Sequence, residues 1–316
     1  MEDVIVCGGG PAGLAAALWL GRYRRRTLIL DAGESRNRTA RRTHGYLGSD
    51  GVAPGELVEK ARRDALAYPT VRIGRAEADA TERVGEGFEV RSGEHSWRAQ
   101  RLVLATGVND VHPDIEGFEE LYGTSIFHCS CCDGYESTDQ DVLAIGWGEH
   151  VAGFALDLLD WGARVTLVTN GQEFEGDRSC IAALERNRVE IIEEDVASFL
   201  SDGGEMRGAR LATGRELSAT RAFFSIGHEP RTDLARQLGC ELDEIGYVRV
   251  DEHGEATVEG VYAVGDVTPG EQLVQTAAAS GAVAGIACGM SLRGSGTVRG
   301  APDPGPDPSE ELGLEE

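Results

Sequence analysis

Cys129 and Cys132 stand three apart in the stretch His128-Cys-Ser-Cys-Cys-Asp-Gly-Tyr135, and Asp133 follows the second of them directly. Sulfurs at this spacing can meet as a disulfide within one turn and depress each other's thiol pKa. A carboxylate beside them can move the protons that thiol–disulfide exchange requires. The chemistry suggested is redox. Taken alone, the spacing also fits half a zinc site or a structural disulfide. Cys131 keeps two other pairings open, with Cys129 or with its neighbour Cys132, and is otherwise a third thiol filling space beside the site. A cationic His128 would lower a thiol pKa, and a packing role suits it equally.

Such a pair needs elements to hold it and a source or sink of electrons. Residues 2 to 31 read as strand, glycine turn, helix and strand: Val4 to Val6, Gly8-Gly-Gly-Pro-Ala-Gly13, Leu14 to Arg22, and Thr27-Leu-Ile-Leu-Asp31. That is a βαβ unit. In Gly8-x-Gly10-x-x-Gly13 the first glycine makes the turn, the second admits a pyrophosphate and the third lets helix and strand approach. Asp31 closes the next strand, where an acid accepts hydrogen bonds from a ribose. A tight turn without a ligand would use the same glycines.

The pattern occurs again. Asp141-Val-Leu-Ala-Ile145 leads into Gly146-Trp-Gly148-Glu-His-Val-Ala-Gly153, a helix through Trp161 and the strand Arg164-Val-Thr-Leu-Val168. Residues 71 to 104 alternate apolar and polar as a small antiparallel layer, with a return strand ending in Ala105-Thr106-Gly107. A similar alternation over 186 to 240 leads to Phe223-Phe-Ser-Ile-Gly227 and then His228-Glu-Pro230. Val264-Gly265-Asp266 places a further carboxylate at a strand end, and Gln272 to Met290 is a glycine- and alanine-rich helix suited to close packing. Residues 292 to 316, rich in Gly, Pro, Asp and Glu, read as a disordered acidic tail.

At 316 residues the chain has room for two domains. Formal charge is −24 and Lys60 is the one lysine, so the surface would repel nucleic acid and suits a high-salt source. No apolar run approaches the roughly 18 to 20 residues of a membrane span. The sequence opens on a hydrophobic strand without a signal-peptide core, and Cys7, Cys180, Cys240 and Cys288 are scattered, so a soluble cytoplasmic protein is expected.

In their order, the two glycine motifs, Ala105-Thr106-Gly107, the Gly227 to Pro230 turn and Gly265-Asp266 resemble the flavoproteins with two dinucleotide-binding domains. With the dithiol just before the second glycine motif, residues 1 to 290 resemble the low-molecular-weight thioredoxin reductase family. The resemblance implies an α/β fold of two Rossmann-like domains. A discontinuous FAD domain would take residues 1–113 and 241–291, and an NAD(P)H-type domain carrying the dithiol would be inserted at 114–240. It implies FAD held by Gly8, Gly10, Pro11, Ala12, Gly13, Asp31, Ala105, Thr106, Gly107, Gly265 and Asp266. A nicotinamide would lie at Gly146 and Gly148. Cys132 would be the thiol that exchanges electrons with the flavin, Cys129 the interchange thiol that attacks substrate, and Asp133 the acid/base. A homodimer is implied, acting on a thioredoxin-like protein or a small-molecule disulfide or dithiol.

Two departures matter. The second turn has Val151 where a small residue is usual. Val168-Thr-Asn-Gly171 also lacks the arginines that pair with the 2′-phosphate of NADPH and the acid that would suit NADH. Thr169, Asn170 and the more distant Arg178 remain as candidates, so NADPH, NADH and another electron source all stay open. The block Asp31 to Asn37, followed by His44-Gly-Tyr-Leu-Gly, is similar to a subgroup that includes the gliotoxin-type dithiol oxidases. That likeness implies that Arg36, Asn37 and His44 lie near the flavin. A dithiol oxidase, or a flavin- or nucleotide-binding redox sensor, is the rival reading.

Overall fold

The computed structural model describes residues 1–225 and 227–293. Residues 294–316, most of the stretch read as an acidic tail, lie outside them. The chain forms two compact units, one built from Met1–Arg38, Gly45–Asn109 and the described residues from Glu229 onward, the other from Thr39–His44 and Asp110–His228.

The first unit opens with β1 (Glu2–Cys7), α1 (Pro11–Arg22) and β2 (Thr27–Leu30), followed by α2 (Pro54–Leu66) and β3 (Val71–Gly74). A meander of β4 (Ala80–Val84), β5 (Gly87–Ser92) and β6 (His95–Leu104) follows, and β7 (Val108–Asp110) carries the chain into the second unit. Strands run in the order β3-β2-β1-β6-β5-β4. β1 is parallel to β2 and β6, with Val4 opposite Thr27 and Arg101, while β4 to β6 are antiparallel. The return strand read from sequence is therefore the second half of one ten-residue strand. Both faces of the central sheet are covered, which is why its strands are apolar without alternation. Val4 and Val6 pack with Leu14 and Leu20 on one side; Ile5 and Cys7 pack with Leu28, Leu102 and Phe88 on the other.

The second unit holds α3 (Phe118–Leu121), β8 (Ile126–Phe127) and α4 (Ser130–Asp133), then β9 (Asp141–Ile145), α5 (Val151–Asp157), β10 (Arg164–Val168), α6 (Arg178–Arg186) and β11 (Glu190–Ile192). A three-stranded antiparallel layer of β12 (Val196–Asp202), β13 (Glu205–Leu211) and β14 (Glu216–Ser218) precedes β15 (Arg221–Phe224). The main sheet is parallel, in the order β11-β10-β9-β15-β8. The helix expected through Trp161 ends as α5 at Asp157, and one turn of 3-10 helix continues it to Asp160.

After β16 (His228–Pro230) the chain completes the first unit with α7 (Asp233–Gln237), β17 (Val261–Ala263) and α8 (Val274–Ser291). β17 extends the sheet beside β6. α8 lies against α1 so closely that a β-carbon at Gly281 would sit 2.0 Å from the Ala12 carbonyl oxygen. Leu292 follows, fully buried in the same core. Both units thus have the α/β architecture of parallel strands flanked by helices that the sequence implied. No helix among the described residues is long and apolar enough to cross a membrane.

Candidate active site

β1 delivers the chain to Gly8, whose φ of +120° needs a residue without a side chain. Space enforces this as well. A β-carbon at Gly8 would lie 2.2 Å from the Ala105 carbonyl oxygen, and one at Gly13 would lie 1.9 Å from that of Gly8. Gly10 is different, since a β-carbon there would meet nothing within 4 Å. The turn therefore leaves room where the twelve-residue α1 begins, with Pro11 at its first position. Free amide groups and the positive end of a helix dipole at such a point suit an anion.

Asp31 lies against this turn, because a β-carbon at Gly9 would come within 2.2 Å of its carboxyl carbon. One carboxylate oxygen accepts the Gly33 N–H at 2.9 Å and the other accepts an Arg62 N–H at 2.6 Å. A carboxylate offers about four lone-pair positions, so acceptor capacity remains for ribose hydroxyls. The Arg62 Nε is buried without a hydrogen-bond partner. A cavity of about 230 Å³ lined by Ala32, Glu34, Arg75, Ala76, Glu77 and Arg231 opens at the same strand end.

Farther along, Arg36 donates to Asp266 at 3.0 Å and to Gln272 at 2.7 Å, and Gln272 donates to the Tyr247 hydroxyl at 2.8 Å. Asn37 belongs to the same 3-10 turn as Arg36. Thr106 Oγ1 donates to the Arg231 carbonyl, and Arg231 N–H donates back to the carbonyl of Gly107. Gly265 takes φ +71° and packs against Ala12. The open cradle over Gly10, the buried Asp31 and the adjoining cavity fit FAD. Its pyrophosphate would be held at residues 8 to 13 and its adenosine at Asp31. Sequence reasoning missed Arg62, Gln272 and Tyr247, since none belongs to a local motif.

The second glycine turn is built otherwise. Gly148 has φ +88°, but His150 folds back over it: a β-carbon at Gly148 would lie 3.6 Å from the imidazole Nδ1, and Nε2 lies 2.6 Å from Ser225 Oγ. A β-carbon at Gly146 would meet Ser225 at 2.9 Å and Val151 at 3.2 Å. At the end of β10, the buried Thr169 hydroxyl donates to the Gln172 carbonyl, and the Asn170 side chain accepts the Val196 N–H at 2.9 Å. Both neutral candidates for reading a nucleotide ribose are thus already engaged, Thr169 within its own loop and Asn170 at the start of β12. Arg178 is exposed at the start of α6.

The dithiol sits at α4. A disulfide joins Cys129 to Cys132, with Cα atoms 5.2 Å apart, and Cys131 is an exposed free thiol. Cys129 caps the turn, its sulfur accepting the Cys132 N–H at 3.2 Å. The same donor would stabilise a Cys129 thiolate after reduction. Gly134 must be small, because a β-carbon would strike the Ser130 carbonyl oxygen at 2.4 Å and the Trp161 ring at 2.6 Å. Among the described residues, no cluster of three or more His, Cys, Asp or Glu could hold a metal.

Asp133 ends α4 and is half-buried. Burial, reinforced by the negative charge of Glu136 and opposed by His44, pushes its carboxyl up to about 7. A carboxyl that titrates near neutrality can both give and take protons there. His44, which the resemblance implied to lie near the flavin, has its Nδ1 3.4 Å from Glu136 Oε1, within the second unit. His128 shares a 2.7 Å hydrogen bond with the Tyr122 hydroxyl and stacks on that ring. Glu136 was missed, although its position three residues after Asp133 would have signalled a shared face.

The family model for pyridine nucleotide-disulphide oxidoreductases matches residues 2–281. The thioredoxin reductase of Mycolicibacterium smegmatis is 30% identical over 297 residues, covering 90% of this chain and 95% of that protein. The thioredoxin reductase tcpT of Claviceps purpurea is 33% identical over 298 residues, covering 90% and 92% respectively. The crystal structure of an oxidoreductase from Agrobacterium tumefaciens matches with a TM-score of 0.84 at 36% identity, over 92% of this chain and 98% of that one. The open glycine cradle, the bonded Cys129–Cys132 pair and a match spanning both units make this chain a thioredoxin reductase-like member of the pyridine nucleotide-disulphide oxidoreductase family.

Proposed function

We propose that the protein reduces a disulfide substrate through Cys129 and Cys132, with electrons supplied by a reduced nicotinamide through FAD. The observation that carries this reading is the bonded Cys129–Cys132 pair with the half-buried Asp133 carboxyl directly after it on the same turn, where burial pushes that carboxyl up to about 7. Bound FAD would supply the two-electron exchange that reopens the disulfide. In the reduced protein, Cys129 attacks one sulfur of the substrate disulfide, forming a mixed disulfide and releasing the other sulfur as a thiolate. Asp133 gives that thiolate a proton and takes one from Cys132. The Cys132 thiolate then attacks Cys129 Sγ, restoring the intramolecular disulfide and expelling the second substrate thiol, which takes up a proton from solvent. One disulfide, two electrons and two protons thus become two thiols.

The names of the relatives support thioredoxin or a similar small protein as substrate. Five cysteines outside the disulfide suit a reducing cytoplasm. The charge of −24 suits high salt. A homodimer is carried over from the resemblance. For the nicotinamide, NADPH is proposed ahead of NADH on the same ground.

A second reading, dithiol oxidation with oxygen as acceptor, is favoured by the second glycine turn. His150 covers it, Thr169 bonds to its own loop, and Asn170 bonds to the start of β12. In that direction a substrate dithiol and O2 would give a disulfide and hydrogen peroxide. Stopped-flow spectra with NADPH, then NADH, separate the two. Rapid bleaching of the flavin band supports the reductase; bleaching by dithiols alone, with oxygen uptake, supports the oxidase. Cys129→Ser should abolish disulfide turnover while the protein keeps its flavin, and retained turnover would reject the role of Cys129.

A further inference from the structure

Asp133 does not stand alone on its turn. α4 closes with the Asp133 N–H donating to the Cys129 carbonyl at 3.2 Å and the Gly134 N–H to that of Ser130 at 2.8 Å. The chain continues directly into a 3-10 turn, Tyr135–Ser137, whose buried Ser137 donates from Oγ back to the Asp133 carbonyl at 3.1 Å. Two successive turns, pinned by Gly134 against Trp161, therefore present Asp133 and Glu136 three residues apart. Two carboxylates held this way repel, and the repulsion favours a proton on the more buried one.

His44 reaches the pair from a remote segment that is itself fixed. The Arg41 N–H donates to the Gly123 carbonyl at 3.2 Å, and the Arg41 guanidinium pairs with Glu205 at 2.7 Å. Thr43 is buried, and a β-carbon at Gly123 would strike the Thr39 carbonyl oxygen at 2.5 Å. The imidazole consequently holds its Nδ1 3.4 Å from Glu136 Oε1. Among the described residues, Glu136 raises the Asp133 carboxyl and His44 lowers it.

We propose that Glu136 and His44 are paired positioning residues for the thiol–disulfide step, Glu136 keeping a proton on Asp133 and His44, whenever its imidazole is protonated, drawing the carboxyl proton away. The proposal rests on the acid/base role of Asp133 given above. The two residues would place the protonation of that carboxyl where one acid can serve both as donor to a departing thiolate and as acceptor from Cys132.

The test is the rate at which dithiothreitol opens the Cys129–Cys132 disulfide in the flavin-bound protein, measured by thiol alkylation and expressed per dithiothreitol thiolate from pH 5 to 9. It needs neither nicotinamide nor the natural substrate. The reagent thiolate bonds to Cys129 Sγ, the Cys129–Cys132 bond breaks, and Cys132 leaves with the electron pair and takes the proton from Asp133. The second reagent thiol then closes its own ring and releases Cys129. The wild-type rate should fall as pH rises through about 7.

Glu136→Gln should move that midpoint down by about one unit, and His44→Gln should move it up by about half a unit, because His44 has the weaker influence on Asp133. The double variant should return toward wild type, and Glu136→Asp should restore most of the profile. Two shifts in the same direction, or none, would overturn the proposal. Should Glu136→Gln not fold, the upward shift in His44→Gln still decides. Asp133→Asn separates the two layers: its profile should be flat. A flat profile there with no opposed shifts rejects only the pairing, whereas a retained midpoint rejects the role of Asp133 and the pairing with it.

Discussion

The two glycine turns of this chain follow strands of the same kind and reach opposite ends. In the first, Gly8 and Gly13 are pressed against backbone while Gly10 faces open space. In the second, His150 bends over Gly148 to Ser225, and Gly146 is crowded by side chains. The strand that follows differs likewise. Asp31 keeps unused acceptor capacity beside a cavity, whereas Thr169 is engaged by its own loop and Asn170 by β12. A glycine pattern therefore records that a turn is tight. Whether the turn has room for a dinucleotide is decided by the residues between the glycines and by the strand end opposite.

The strongest way to break this contrast is Gly13→Val. Its side chain would enter the Gly8 carbonyl, costing about 1–3 kcal/mol or more, and the protein should purify without its flavin absorbance. Retained flavin at full occupancy would show that close approach of α1 and β1 is not required. At the second turn, His150→Ser should lower the nicotinamide KM by about tenfold, or about 1.4 kcal/mol, as steady-state kinetics with NADPH and NADH would measure. An unchanged KM would mean that the imidazole is not the obstacle.

Arg62→Met should weaken FAD binding about three- to tenfold, read by fluorescence titration of the apoprotein, because Asp31 loses the charge-assisted bond that orients it. The smallest effect has the opposite sign. Gly153→Ala, inside α5 where a β-carbon meets nothing within 4 Å, should raise stability by up to about 1 kcal/mol in thermal unfolding. A loss there would indicate that the second turn is as tightly packed as the first.

Much of this architecture was legible because βαβ units write themselves locally. A run such as Val4-Ile-Val, a glycine turn and an apolar helix are set by backbone sterics and burial within about thirty residues. The dithiol and Asp133 were legible for the same reason. Arg36 and Asp266 were each read from local motifs, yet their ion pair joins residues 230 apart and no spacing announces it. Arg62 was invisible because an arginine on an amphipathic helix is ordinarily a solvated charge, and its approach to Asp31 depends on how α2 packs. His44 was read toward the flavin because the resemblance concerned the block around it. What it meets in its own unit is set by the seating of residues 39 to 41 on Gly123, a contact across about eighty positions that sequence alone does not show.

The exposed thiol of Cys131 has a practical consequence. With the Cys129–Cys132 bond closed, Cys7, Cys240 and Cys288 are buried and Cys180 is half-covered, so a bulky maleimide meets Cys131 first. Burial also pushes Cys7 and Cys288 up to about 12, which leaves them with little reactive thiolate at neutral pH. A dye or spin label can thus be attached between the two redox sulfurs of the unmutated chain, as an optical or magnetic gauge of what approaches them.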